Sequence, residues 1–426
     1  MTIHQPVASP GCGCDRQDMP RSLISIDEAL ARIAAHVAPV GGAEAVALDR
    51  AAGRILARPV RSRSMVPSFD NAAMDGYAIA ASALAGAGAW VLRVVARLPA
   101  GQETVAQVAP GVAVRIFTGA PIPGGADAVV MQEDVRREGD VIHLSRRPVP
   151  GLNIRRAGSD MAKGMIVLDK GHRLGPRQIA ACAAAGAGIL RVRRRLRVAL
   201  VITGDELRGA GGAREAAQIW DVNTPLLVAC LAGAGVEIVA AAHGADDLAG
   251  LVRQLGDMAA RADLVITTGG ISVGEEDHVK PAVAALAGEI LFSGVAIKPG
   301  KPVSAGRIGK AFWLGLPGNP VSALVTWQVF GMALLRGLTG EISGTVARRH
   351  VVTAAAIHRK PGRCELRPAT FAGFDAQGRE VVSFDDATHS ARVGHLPLTD
   401  GLMFLPADTE SLPAGALVEF QPFCQS

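Results

Sequence analysis

Apolar positions along the chain change period several times. Residues 22–37, "SLISIDEALARIAAHV", place Ser25 three residues before Glu28 and repeat Leu30, Ile33, Ala34 and Val37 at helical spacing. That is the pattern of a capped amphipathic helix. From about Met65 to Pro150 the texture shifts to short β-rich runs such as "WVLRVVARL" and "AVRIFTGA", divided by Gly and Pro. These predict a small β-rich inserted domain over residues 62–150. Helical spacing returns at "GPRQIAACAAAGAG". Residues 21–61, with the first helix, and 151–195 are therefore expected to form one discontinuous linker domain.

Beyond Arg195 the alternation is regular. "RVALVIT" is followed by a helix that Thr224-Pro225 starts and Gly235 can end, then by "VEIVAAA" and a helix capped by Asp246. "LVITTGG" and "AFWLGLP" follow, the latter leading into "NPVSALVTWQVFGMALL". Buried strands alternating with helices signal an α/β domain with a doubly wound parallel sheet over residues 196–340, whose ligands lie beyond the carboxyl ends of the strands. From about Glu341 the helices stop, and "HVVTAAAI", "GLMFLP" and "ALVEFQPF" predict an all-β, barrel-like domain over 341–426.

Composition agrees with several packed domains. The chain has 426 residues, 49% of them hydrophobic and only 4% aromatic, with 50 glycines. That length exceeds one hydrophobic core. With 44 basic and 39 acidic residues, net +5, a nucleic-acid footprint is not indicated. The run "RVRRRLR" at 191–197 leads into a strand without neighbouring aromatics and reads as a solvated strand edge. The six cysteines are scattered, as in a reduced compartment. The pair Cys12 and Cys14 lies in residues 1–20, read as a flexible tail with neither the basic start nor the apolar core of an export signal. The uncharged run Ala311–Leu335 is interrupted at Pro317-Gly318-Asn319-Pro320, leaving an apolar stretch expected to be too short to cross a bilayer. The expected setting is cytoplasmic, without membrane or nucleic-acid partners.

The chemistry concentrates where the strands of residues 196–340 end. "ITGDEL" offers Gly204, Asp205 and Glu206; "TTGGISVGEED" offers Gly269, Gly270, Ser272, Gly274 and Glu275-Glu276-Asp277; "LPGNPVSA" offers Pro317, Gly318, Asn319 and Ser322. Glycines let backbone N–H groups approach a ligand, and a helix start presents free donors to a phosphate. None of these is a GxxxxGK[ST] loop or a GxGxxG turn. Acids beside an anion site repel it unless a hard cation such as Mg²⁺ lies between them. In "IKPGKPVSAG", Lys298 and Lys301 bracket Pro299-Gly300 ahead of Ser304, a pairing that favours a dianion. Each cluster alone would more often be solvated surface; together they describe a phosphoryl or oxyanion site with a metal. The inserted domain adds "VPSFDNAAMDGYAI", "RIFTGAPIPGGADAVVMQED" and "NIRRAGSDMAKG", whose Asp-Gly and Gly-Ala-Pro pieces are ordinary turn sequences.

Seven ordered segments, from "FDNAAMDGYA" through "RIFTGAPIPGGADAVVMQED", "NIRRAGSDMAKG", "ITGDEL", "TTGGISVGEEDHVK" and "AIKPGKPVSAG" to "LGLPGNPVSA", resemble the molybdopterin molybdenumtransferases. These are the MoeA proteins, related to the E domain of gephyrin and its plant counterpart. The resemblance runs from about residue 21 to the C-terminus. It implies an elongated, four-domain homodimer that acts on adenylylated molybdopterin and molybdate, with Mg²⁺, and releases AMP. Asp75, Thr118 and Asp160 would act across the dimer interface. Glu206 and Asp277 would position Mg²⁺, water or pyrophosphate, and Asp247 matches a further acidic position that is also a simple helix cap. Lys298, Lys301 and Arg363, with Ser304 and Ser390, would hold molybdate. Implied partners are molybdopterin adenylyltransferase and recipient molybdoenzymes or their chaperones.

Near the C-terminus the pattern departs. Where many relatives have Ser-Ser-Arg, this chain reads "HSARVGH", keeping Ser390 and Arg392. That change motivates a rival reading, a paralogue for tungstate or for one dedicated enzyme. A non-catalytic scaffold is a third, but Asp75, Asp160, Glu206 and Asp277 are all present.

Overall fold

The computed structural model describes residues 23–86, 88–103, 107–233, 235–245, 247–271, 277–342, 348–385, 390 and 392–423. The N-terminal tail with Cys12 and Cys14, the residues Asp246, Ser272, Gly274, Glu275 and Glu276, and Cys424 lie outside them.

The first helix, Ile26–His36, starts where expected, with the Ser25 hydroxyl accepting the Glu28 N–H at 3.1 Å. Its apolar stripe, Ile26, Ala29 and Ile33, joins the core formed by the central sheet and the helix Met332–Thr339. The strand Ala43–Ala47, a few residues on, pairs antiparallel with Ile189–Arg193, and Leu56 packs with Leu174, Cys182 and Val192. Between these segments a six-stranded sheet runs in the order Ala128–Met131, Gly76–Ile79, Val112–Ile116, Trp90–Leu98, Val141–Leu144, Val135–Glu138.

The central sheet also has six strands, in the order Val236–His243, Leu196–Ile202, Leu264–Thr268, Ala311–Leu316, Ser304–Ile308, Glu289–Ser293. The first four are parallel. The last two pairings are antiparallel, so only Ser304–Ile308 runs against the rest and the sheet is mixed rather than purely parallel. Alternate residues serve opposite cores, as the two-residue period of a strand requires. Val198 and Leu200 face Leu227 and Phe330 on one side, and Ala199 and Val201 face Leu251 and Leu255 on the other. The helix expected to reach Gly235 ends at Leu231, and Asp247 caps the helix Leu248–Arg261, accepting the Gly250 N–H at 2.7 Å, while the expected cap Asp246 lies outside the described residues.

The helix Pro320–Thr339 runs for 20 residues, with a π-turn at Trp327–Gly331, and is long and apolar enough to cross a bilayer. This corrects the expectation from sequence. Pro320 begins the helix, since its missing N–H is no loss in the first turn. Its apolar surface belongs to the core: 72% of its most apolar window is buried in the protein, including Trp327 and Phe330.

The arginine-rich run is not a simple solvated edge. Arg194 grips Asp263 through two bonds of 2.7 and 2.8 Å, and the Arg197 N–H adds a third contact at 2.9 Å. These fasten the linker to the start of a central strand.

The C-terminal strands close on themselves. Cys364–Phe374, Glu380–Phe384, Arg349–Thr353, Leu417–Pro422 and Gly401–Leu405 pair in sequence around a ring, the last returning to Cys364–Phe374. A short strand from the central region, Ile297–Lys298, adds to this barrel in parallel with Cys364 and Glu365.

Candidate active site

Three neighbouring parallel strands, ending at Ile202, Thr268 and Leu316, deliver their following turns to one edge of the central sheet. There they border a cleft of about 580 Å³, lined among others by Gly204, Glu206, Gly269, Asp277, Gly318 and Asn319. Gly269 adopts φ +81°, and a Cβ on it would meet the Thr203 hydroxyl at 2.7 Å. Gly318 lies against Gly269, where a Cβ would reach the Gly269 Cα at 3.4 Å. A side chain is therefore excluded at Gly269, by its left-handed backbone and by Thr203, while Gly318 lies in ordinary contact with it. Gly204, Asp205, Gly270 and Pro320 line the same cleft. Ser322 is buried one turn into the long helix.

Glu206 and Asp277 both face this cleft. Among the described residues no group of three His, Cys, Asp or Glu side chains is arranged to hold a metal ion. Two carboxylates lining one open cleft fit a hard cation that takes the rest of its shell from water and a ligand's oxygens, and not an all-protein cage. Asp247 is engaged as a helix cap.

The basic residues gather at the junction of the central region and the barrel. Lys298 is the register partner of Glu365, with its ammonium 3.7 Å from that buried carboxylate. Arg363 donates to the Ile297 carbonyl at 3.3 Å. Lys301 is exposed nearby, while Ser304 is fully buried with its hydroxyl donating to the Pro302 carbonyl at 3.0 Å. Ser390 reaches the cleft instead: its hydroxyl accepts from the Asn319 amide at 3.3 Å, and its carbonyl accepts the Val321 N–H at 3.2 Å. A smaller hollow of about 290 Å³ lies beside it, with Arg367, Arg392 and a His395–Asp385 pair at 2.9 Å.

The other polar set lies outside the central sheet, on turns of the inserted sheet and on the chain beside it. Asp75 accepts two bonds from Thr118 and its carboxyl is held below the usual range by the Thr118 N–H and hydroxyl, with help from Arg115. Asp70 is lowered in the same way by the Ala157 N–H and by Arg156, whose guanidinium donates at 2.6 Å. Asp160 is exposed, its backbone N–H bonded to the Val66 carbonyl at 3.0 Å.

Sequence reasoning passed over one wall of the cleft, "QIWDVNTP". Asp221 accepts the Thr224 N–H at 3.0 Å, and buried Asn223 donates to the Gly318 carbonyl at 2.7 Å, tying a helix start to the third glycine turn. The available signal was Asp three residues before Thr224, the spacing of a cap.

Comparison with known proteins agrees along the chain. Residues 24–186 match the MoeA N-terminal region (domain I and II), residues 199–337 the probable molybdopterin binding domain, and residues 350–423 the MoeA C-terminal region (domain IV). Molybdopterin molybdenumtransferase 2 of Mycobacterium tuberculosis is 36% identical over 383 residues, spanning 88% of this chain and 93% of that one. The chain belongs to the MoeA family. The Haemophilus influenzae molybdopterin molybdenumtransferase is 39% identical over 320 residues, covering 75% of this chain and 78% of that protein. In structure, the MoeA protein of Pyrococcus horikoshii OT3 superposes with a TM-score of 0.81 at 28% identity, covering 94% of this chain and all of that one. Within this MoeA chain the cleft falls in the second matched region, Asp75, Thr118 and Asp160 in the first, and Arg363 and Ser390 in the third.

Proposed function

We propose that this enzyme of molybdenum cofactor biosynthesis inserts molybdate into adenylylated molybdopterin in an Mg²⁺-dependent reaction that releases AMP. The observation that carries the reading is the convergence of three glycine turns and the carboxylates Glu206 and Asp277 on one cleft.

Backbone N–H groups at Gly270 and Gly318 bind the phosphates of the ligand, because a backbone without side chains can approach them closely. Glu206 and Asp277 hold the cation. A cation held there would supply positive charge to offset the negative charge of the ligand's phosphates. Lys298, Lys301 and Arg363 bind molybdate, a dianion that multiple fixed cations favour. Asp75, Thr118 and Asp160, set outside the central sheet, reach the cleft of a second copy in a homodimer. Molybdopterin adenylyltransferase supplies the substrate, and molybdoenzymes or their chaperones take the product.

The test is incubation of the purified protein with adenylylated molybdopterin, Mg²⁺ and molybdate, following AMP release and pterin-bound molybdenum together. Appearance of both supports the reading. Tight binding of the pterin nucleotide with no AMP release overturns it, as does full turnover in the presence of a chelator.

A further inference from the structure

The cleft has an aromatic wall to which the proposed reaction gives no part. Trp220 is 40% exposed and Ile219 is 52% exposed, and both line the cleft beside Glu206. Trp313 and Trp327 are fully buried, and Trp90 sits in the inserted sheet with its indole N–H on the Ala85 carbonyl. Trp220 is thus the tryptophan that a ligand in the cleft can touch.

Its position is fixed by backbone. Ile219 and Trp220 pair in parallel with Leu207 and Arg208. The Ile219 N–H donates to the Glu206 carbonyl and the Asp221 N–H to the Arg208 carbonyl, each at 2.8 Å. The indole therefore stands between the Glu206 turn and the helix that starts at Asn223. Arg214 lies over the ring, 5.7 Å from its centroid, and its guanidinium is held by the Gln218 carbonyl. A large apolar ring held open to water forgoes burial that would stabilise the fold. A flat ligand laid on it recovers that area and adds stacking.

We propose that Trp220 is the stacking platform for a flat nitrogen heterocycle at one end of the ligand's phosphate chain, on the ring face away from Arg214. The inference rests on the proposed reaction for the ligand's identity, since that substrate carries two such heterocycles, adenine and pterin. The stacking chemistry is the same for both.

The experiment titrates AMP, and separately neopterin monophosphate, into the full-length protein with Mg²⁺. Calorimetry gives affinity and indole emission gives contact, for the wild type, Trp220→Phe and Trp220→Leu. One of the two compounds is expected to change the emission of the wild type. Its affinity should fall about tenfold in Trp220→Leu, ~1.4 kcal/mol, and largely recover in Trp220→Phe. Response to AMP alone assigns the platform to adenine, and response to the pterin alone assigns it to that ring. Unchanged affinity for both compounds in Trp220→Leu, with a melting temperature equal to that of the wild type, overturns the proposal. A wild type that binds a heterocycle with quenching, yet releases no AMP when given adenylylated molybdopterin, Mg²⁺ and molybdate, counts against the reaction and leaves the stack standing.

Discussion

Thr118 holds Asp75 twice through one oxygen: its N–H donates to Oδ1 at 2.8 Å and its hydroxyl donates to the same Oδ1 at 2.7 Å. Antiparallel pairing of Gly76 with Ile116 brings the two residues together. Both bonds favour the ionised carboxylate, which is why its pKa lies below the ordinary value. Thr118→Val removes the hydroxyl and raises that pKa. If Asp75 must be ionised for turnover, the acid limb of the pH–rate profile moves to higher pH in Thr118→Val and stays in place in Thr118→Ser. An unmoved limb in the valine variant would separate Asp75 from the rate.

Asp263 offers a stability test. Burial pushes its carboxyl up, but the Arg194 bonds, the Arg197 N–H and both guanidinium charges outweigh it, so the folded pKa is lowered. A lowered carboxylate pKa contributes stability above the unfolded value of about 3.9 and loses it as pH falls through the folded value. Asp263→Asn is expected to cost about 2–3 kcal/mol at neutral pH. Denaturant unfolding of both proteins measures it, and the difference should shrink below about pH 4.

Gly269→Ala places a Cβ at φ +81°, 2.7 Å from the Thr203 hydroxyl and 2.9 Å from the Thr203 carbonyl. The left-handed backbone alone costs about 1–2 kcal/mol for a residue with a side chain. A lower melting temperature and weaker binding of the pterin nucleotide are expected together. Gly309→Ala, also at positive φ but with open space around its Cβ position, should lower stability without touching binding.

Asp277→Asn and Glu206→Gln should each lower AMP release by at least about a hundredfold while leaving the melting temperature unchanged, because both residues line the cleft and not a core. Excess Mg²⁺ should recover part of the rate if the lesion is in cation binding. Full activity in either variant at limiting Mg²⁺ would remove that carboxylate from the metal role.

The central strands were legible because Val198–Ile202 and Leu264–Thr268 are uninterrupted apolar runs that end on glycine or polar turns. The Ser25 cap was legible for a similar reason, being a local signal within one turn of chain. What escaped was long-range. Nothing local tells that Ile26, Ala29 and Ile33 bury against the central sheet, since an amphipathic stripe declares a buried face but not its partner. The antiparallel edge was hidden because Glu289–Ser293 and Ser304–Ile308 flank "AIKPGKP", which reads as a charged turn. At the site, acids and glycines in strand-end motifs could be singled out. Trp220 could not, because an exposed aromatic is recognised by the cleft it borders and not by its neighbours in sequence.

The two residues Ile297–Lys298 belong by chain order to the central region and by hydrogen bonding to the barrel. The last region is therefore not an interchangeable cassette. A chimera that replaced everything after Glu341 with a relative's barrel would have to match the edge offered at Cys364 and Glu365, as well as the carboxylate against which Lys298 rests. Drift in one region is thereby tethered to drift in the other, and recombination between family members is expected to succeed where the crossover keeps residues 297–298 and the barrel strand from the same parent.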